Sequence, residues 1–254
     1  MIPPSQAPCE ILDWDTNFFG FRIARAGSDT LTPEIVQSLD EFCRHNQVRC
    51  LYFLSTIHEP NTTRLAEAND FQLVDIRLTF EKVLSGNSHL KTDGGLNKIA
   101  AIRPARAADI ADLVKISQKS YIDSRFYFDK NFPRPLAEAL YQKWIQVSCE
   151  GWAEAVLVAE LDQVPVGYIT CHLDQEQKSG KIGLVGVSNQ AQGQGIGKEL
   201  VNQASEWFSI QGMGKVTVVT QGRNLAAQRL YQRCGFITQN IQLWYHKWYP
   251  LSEK

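Results

Sequence analysis

Two periods alternate along the chain. Apolar residues recur at helical spacing over residues 110–120, 136–149 (Leu136, Leu140, Trp144, Val147), 198–211 and 225–234, which predicts helices with one buried stripe. Short runs rich in β-branched and aromatic residues at 155–160, 165–173, 181–187, 215–220 and 242–248 predict strands. Asp162-Gln163 falls between the first two strands as a hairpin turn, whereas the later strands are joined through helices. Hairpins make antiparallel neighbours and helical crossovers make parallel ones. The pattern therefore predicts an α/β fold, a mixed twisted sheet flanked by helices. Asp109 precedes the 110–120 helix as a candidate N-cap.

Residues 85–98 carry no apolar period and are rich in Gly, Ser, Asn and Asp, which reads as a linker. It divides the chain into an N-terminal α/β domain (1–84) and a second domain (99–254). Within the first, a strand at 50–55, a helix at 61–69 and a strand at 71–80 mirror residues 216–245, with Phe71 matching Phe236 and Phe80 matching Tyr245. Two readings stay open. Either the N-terminal domain is a degenerate half-copy of the second, with Ala66 in the place of Tyr231 and no Gly-rich loop before its helix, or the two strand–helix–strand units are unrelated. Trp14, Phe18 and Phe19 read as core between an N-terminal hairpin and its helix.

Lys plus Arg number 26 against 27 Asp plus Glu, a net charge of −1. No broad positive field results, which disfavours nucleic acid or a membrane surface as partner and favours a small molecule. The six cysteines form no CxxC pair and no Cys/His cluster, so no metal site is expected and the thiols read as free. The opening Met1-Ile-Pro-Pro-Ser-Gln6 lacks the basic and apolar regions of a secretory leader, and no apolar run approaches the roughly 20 residues that cross a bilayer. A cytoplasmic protein is expected.

Chemistry concentrates in Gln192-Gly193-Gln194-Gly195-Ile196-Gly197, between a predicted strand and a predicted helix. Three alternate glycines let the backbone turn tightly and aim several N–H groups at one anion, and the helix adds the positive end of its dipole. A diphosphate suits such a loop. A nucleotide P-loop needs Ser or Thr after the lysine, but Glu199 follows Lys198. A dinucleotide fingerprint needs GxGxxG in the first βαβ unit, and these glycines run GxGxG late in the chain.

The Gln-x-x-Gly-x-Gly form, preceded by Ile182-Gly-Leu-Val-Gly-Val187 and followed by Asn224-Leu-Ala-Ala-Gln-Arg-Leu-Tyr-Gln-Arg-Cys-Gly-Phe236, resembles the two signature motifs of the GNAT superfamily of N-acetyltransferases. The resemblance implies the GNAT fold, with the N-terminal domain as a partial GNAT-like unit, and acetyl-CoA as co-substrate. Its diphosphate would lie on the amides of Gln192, Gly193, Gln194, Gly195, Ile196 and Gly197. Its pantetheine arm would pair with Leu184, Val185 and Val187. Asn224 and Ala227 would meet the arm, and Tyr231 would protonate the leaving thiolate. A phenol is protonated at neutral pH and can serve in that role, although a packed aromatic would look the same in sequence.

Residues 12–20, 123–126, 141–145, 181–184 and Trp244-Tyr245 also resemble segments of the bacterial TDP-fucosamine acetyltransferases. This implies as acceptor the 4-amine of a TDP-linked 4-amino-4,6-dideoxyhexose, and a possible homodimer. This chain differs in its fuller glycine loop, in residues 127–133 and in the tail past Trp248. Tyr121, Ser124, Arg125 and Phe126 follow the first helix of the second domain, where an Arg can pair with a diphosphate and an aromatic can stack on a base or sugar, or where the loop is merely solvated. His172, sharing a strand face with Tyr168 and Thr170, and Asp174 are base candidates, but neither is assigned. A peptide or other small amine as acceptor, or a non-catalytic acyl-CoA-binding module, are the competing readings.

Overall fold

The computed structural model describes residues 7–84, 100–118 and 120–250. The expected linker at 85–98, the chain start and the end of the tail lie outside the described residues. In chain order the elements are β1 (Cys9–Ile11), α1 (Asp13–Phe19), β2 (Ile23–Ala26), α2 (Pro33–His45), β3 (Cys50–Thr56), α3 (Pro60–Ala68), β4 (Gln72–Val83), β5 (Ala101–Pro104), α4 (Ile110–Ser117), α5 (Arg125–Phe128), α6 (Arg134–Val147), β6 (Ala155–Leu161), β7 (Val164–Asp174), β8 (Ser179–Val187), α7 (Ile196–Ile210), β9 (Lys215–Gln221), α8 (Leu225–Arg233) and β10 (Ile237–Trp248).

All ten strands form one mixed sheet, in the order β1-β2-β3-β10-β4-β9-β8-β7-β6-β5. The expected boundary between the two parts of the chain therefore does not divide the sheet. β10 lies between β3 and β4, while β4 lies between β10 and β9. A single spacing governs this interleaving. Arg77 and Gln242, 165 residues apart, face each other on β4 and β10, and Arg77 Nη1 donates to Gln242 Oε1 at 2.8 Å. Adding the same spacing converts Thr56↔Gln242 into Gln221↔Arg77, Cys50↔Trp248 into Lys215↔Val83, and Asp75↔Trp244 into Asn240↔Thr79. It also carries α3 onto α8. The sheet thus has a local two-fold relation centred on Arg77 and Gln242, with Ala66 of α3 standing where Tyr231 stands in α8.

Alternation on the strands sends apolar side chains to both faces. On one face α7 and α8 close a core of Leu200, Val201, Ala204 and Phe208 over Ile169, Cys171, Ile182 and Val218. On the same face α2 and α3 pack Leu39, Cys43 and Ala66 on Leu51, Phe53 and Tyr245. The opposite face is covered by α1, α4, α5 and α6 through Phe19, Leu113, Phe126, Leu140 and Ile145, over Tyr52, Val158 and Tyr168. All six cysteines are free thiols. No helix among the described residues is long and apolar enough to cross a membrane.

Four local expectations need correction. Residues 13–19 form a helix rather than half of a hairpin, because Asp13 and Asp15 favour its first turn and Gly20, at φ +78°, terminates it in the left-handed region. Trp14 remains 41% exposed and stacks on Phe18 at 5.0 Å, so only Phe19 of that trio is fully buried. Asp109 does not cap α4. Arg103 claims its carboxylate in a two-pronged ion pair of 2.7 and 2.9 Å, and the Arg106 amide donates to it at 2.7 Å. Finally, Arg125–Phe128 is a short helix, four residues that carry no readable period.

The core beneath α1, α4, α5 and α6 contains a buried polar knot. His246 Nδ1 donates to Asp129 Oδ2 at 2.7 Å, Trp248 Nε1 donates to the same oxygen at 2.8 Å, and the Asn131 amide donates to Oδ1 at 3.0 Å. Burial drives the His246 pKa down to about 4 against the pull of Asp129. Burial pushes Asp129 up, but these hydrogen bonds outweigh it and hold its carboxyl below the usual range. A depressed histidine keeps the fold stable while neutral. As pH falls from about 6.5 towards about 4 the unfolded chain takes up the proton first, and stability is lost by roughly 3 kcal/mol. Urea midpoints measured across this window should fall steadily in the native protein, and the decline should flatten in a His246→Gln variant.

Candidate active site

The site is built on a break in the sheet. β8 and β9 run parallel and pair only from Ser179↔Lys215 to Ile182↔Val218. Beyond that point Gly183–Val187 stays with β7, and Val219–Gln221 stays with β4. A bulge starts the divergence: between the pairs Ile169↔Val185 and Cys171↔Ile182, Thr170 alone opposes Gly183 and Leu184. Thr170 Oγ1 accepts from the Leu184 amide at 2.8 Å, so the bulge is pinned by a side chain. The result is a slot whose β8 edge, at Leu184, Val185 and Val187, has no strand partner.

At the open end of the slot the chain enters a 3₁₀ turn at Asn189–Ala191 and then the glycine loop. Gly193 and Gly195 have φ of +78° and +86°, in the left-handed region that a side chain would strain. Gly195 is the N-cap of α7 and its carbonyl accepts from the Glu199 amide at 3.1 Å. The amides of Ile196, Gly197 and Lys198 in the first turn therefore have no intrahelical acceptor, the condition that suits an anion. Gln192 Nε2 donates to the Val187 carbonyl at 3.1 Å and Gln194 Nε2 to the Gln190 carbonyl at 3.2 Å, bracing the loop from within. The Ile196 side chain belongs to the core. Gly197 faces α8, where a Cβ would lie 3.3 Å from Leu230 Cδ2, so its small size allows the two helices to approach.

α8 places the other two motif residues. Asn224 is its N-cap, and Asn224 Oδ1 accepts from the Ala227 amide at 2.9 Å, which leaves the side-chain NH₂ as the group available to a ligand. Tyr231, two turns further, packs at 5.9 Å from Phe80 and 6.0 Å from Phe236. Phe80 pairs with Val218, the last residue of β9 before the split, so the phenol lies beneath the slot on its helix side. Burial raises its pKa and keeps it protonated at neutral pH.

The opposite side of the slot is polar. Tyr121 Oη donates to the Val185 carbonyl at 3.1 Å and lies 3.0 Å from Tyr168 Oη, while its ring stacks on Tyr141 at 4.2 Å. Burial, then Tyr168, and further off the phenol of Tyr231 raise its pKa, which puts the two tyrosines in each other's field across the slot. On β4, Asp75, Arg77 and Thr79 alternate with the helix-side Leu78 and Phe80. Burial lowers the pKa of Arg77, and so does the positive charge of Arg125; burial lowers that of Lys181 on β8, and so does Arg77. Three cations thus share one face, and among the described residues none has a carboxylate within ion-pair distance. Asp75 is held by Arg223 at 3.3 Å, and burial raises its pKa to about 6.

Of the residues expected to meet the acceptor, Tyr121 and Arg125 border this face and Ser124 is buried beside it. Phe126 does not: its ring stacks on Phe19 and meets Phe132 in the core, and the Arg125 guanidinium lies 4.3 Å from its centroid. His172 contacts the edge of Trp152 at 5.1 Å and lies 3.8 Å from Glu154, and burial lowers its pKa. Sequence reasoning overlooked Arg77. Its signal was the alternation of Asp75, Arg77 and Thr79 in a strand that is central in the sheet, where one polar face implies a wet cavity.

Comparison with known proteins follows the same geometry. Residues 115–236 match the acetyltransferase (GNAT) family model. The chain is 27% identical over 152 residues to the spore coat polysaccharide biosynthesis protein SpsD of Bacillus subtilis (strain 168), a match covering 57% of this chain and half of the length of that relative. It is 30% identical over 136 residues to an uncharacterized N-acetyltransferase of Archaeoglobus fulgidus, covering 51% of this chain and 88% of that protein. Its fold is similar to the crystal structure of a GCN5-related N-acetyltransferase from Sphaerobacter thermophilus, with a TM-score of 0.63 at 15% identity over 94% of this chain and 76% of that one. With the family model resting on the split strands, the glycine loop and α8, the chain belongs to the acetyltransferase (GNAT) family.

Proposed function

We propose that the protein transfers acetyl from acetyl-CoA to the amine of a sugar carried on a nucleoside diphosphate, as expected for a TDP-4-amino-4,6-dideoxyhexose. The observation that carries the acceptor class is the row Lys181, Arg77 and Arg125, cations without carboxylate partners on the face opposite Tyr231. A polyanion relieves their mutual repulsion, whereas a lysine side chain of a peptide would add to it. The name of the Bacillus subtilis relative, a polysaccharide biosynthesis protein, supports a sugar acceptor.

In this reading the cofactor diphosphate lies on the first-turn amides of α7 and the glycine loop, and the pantetheine arm pairs with the free edge of β8 at Leu184–Val187. Asn224 donates its side-chain NH₂ to the arm. The neutral amine attacks the thioester carbonyl carbon from the cationic face, the C–S bond breaks, and Tyr231 gives its hydroxyl proton to the departing thiolate. The amine loses its proton to water. Residues 1–84 are read as a degenerate half-copy of the catalytic part, in which Ala66 has no acid to offer.

A thiol-release assay against TDP-linked amino sugars, the same sugars without the nucleotide, polyamines and Lys-containing peptides tests the acceptor. Turnover of the TDP-linked amine is expected, and turnover of peptides alone would discard this acceptor. Exchanging both Arg77→Gln and Lys181→Gln should raise KM for the linked amine at least tenfold, with a smaller change for the unlinked sugar. Tyr231→Phe should lower kcat at least tenfold and leave the acetyl-CoA Kd within about twofold, because the hydroxyl acts on the leaving group. Gly195→Val should instead weaken acetyl-CoA at least tenfold by calorimetry, since a β-branched residue at φ +86° rebuilds the loop.

A further inference from the structure

Beyond the cation row lies a group of buried polar atoms that the chemistry above does not use. Tyr52 Oη, Ser124 Oγ and Arg125 Nε are inaccessible to solvent and make no close hydrogen bond, although Tyr52 lies near Asp15 and Arg125, and Ser124 near Tyr141. Tyr52 is 1% exposed and Ser124 2%. Leaving such groups unpaired costs about 1–3 kcal/mol each, so three in one place require a reason. They converge. The Arg125 guanidinium lies 4.9 Å from the centroid of the Tyr52 ring and 4.3 Å from that of Trp244, on neighbouring strands β3 and β10. Asp15 of α1 adjoins the group: its carboxylate lies within reach of the Tyr52 hydroxyl and in the field of the Arg125 guanidinium.

The location matters. Trp244 pairs with Asp75 on β4, and Arg77 is two residues along that strand, so this group continues the cation row away from the slot. An acceptor whose amine is at the slot and whose diphosphate lies on Arg77 and Arg125 reaches this point with its nucleoside. The donors and acceptors here are specific. The Asp15 carboxylate accepts hydrogen bonds, the Tyr52 hydroxyl and the Arg125 N–H groups donate them, and the partly exposed Trp244 offers a ring face.

We infer that Asp15, Tyr52, Ser124, Arg125 and Trp244 form a nucleobase subsite, and that it takes a pyrimidinedione, the base type of uracil and thymine. That base presents one ring N–H between two carbonyl oxygens, the complement of a carboxylate set between donors. Cytosine lacks the ring N–H, and guanine presents one carbonyl where two are needed. The N-terminal part of the chain, through α1 and β3, is then a reader of the acceptor rather than only a support for the sheet. This inference rests on the nucleotide-linked acceptor proposed above.

Calorimetry on the acetyl-CoA-loaded protein tests it, because the loaded cofactor blocks nucleotides from the cofactor site. TDP and UDP should bind at least tenfold more tightly than CDP or GDP. Tyr52→Phe and Asp15→Asn, both near-isosteric, should each weaken TDP at least fivefold and reduce its preference over CDP, with the acetyl-CoA Kd unchanged as the measure of an intact fold. Equal affinity for all four nucleotides, or variants that bind TDP as the native protein does, would overturn the subsite. If the native protein turns over a TDP-linked amine under either of those results, the acceptor proposal survives and the base reader alone is lost. If no nucleotide binds and no linked amine is turned over, both are lost.

Discussion

Everything at the centre of this protein depends on β9 being held along its whole length by β4. All seven residues of β9, from Lys215 to Gln221, pair with β4, whereas only four pair with β8. Each backbone hydrogen bond contributes about 1 kcal/mol net, so β9 follows the partner that offers the longer ladder. β8 is held to β7 in the same way beyond its bulge. Two parallel strands bound to different neighbours must part, and the gap between them is the slot. β4 belongs to the first 84 residues, so the N-terminal part of the chain helps to hold the slot open.

That arrangement also sorts the chemistry by face. α7 and α8 occupy one side, which places the first-turn amides, Asn224 and Tyr231 on the same side of the slot. On the other side the single turn of α5 is what packs on β4, and Asp75, Arg77 and Thr79 are the side chains that β4 presents there. Arg77 keeps its position at the two-fold centre through Gln242 rather than through a carboxylate. Its charge is therefore still available to a ligand. Lys181 likewise has no carboxylate within ion-pair distance, whereas Arg125 is in the field of Asp15 and Asp75, so the charge of this face is a local construction rather than a bulk property of a chain of net charge −1.

Much of the catalytic half was legible from the chain alone. The period-3.6 stripes and β-rich runs gave α4, α6, α7, α8 and β6 to β10 to within a few residues, and the left-handed Asp162-Gln163 turn joins β6 to β7 as the pattern required. Shorter elements escaped. α5 is one turn long and α1 has seven residues, lengths at which a helix is fixed by packing against neighbours rather than by its own stripe. Phe126 was misplaced for the same reason, since one turn of helix decides whether residue 125 or residue 126 faces the groove.

By itself the sequence determined the local features: where chain can curl or extend, where glycine permits φ above zero, and that a glycine loop opens one helix while an Asn cap and a tyrosine stand on the next. Those depend on neighbours a few positions apart, and they are written in order along the chain. Only the tertiary structure decided that β10 enters between β3 and β4, that Arg77 shares a face with Lys181 and Arg125, and that Tyr52 and Arg125 pack on Trp244. These relations join segments separated by up to about 200 residues. No short period encodes them, because they are set by which strands find the longest hydrogen-bonded ladders and which faces bury the most apolar surface.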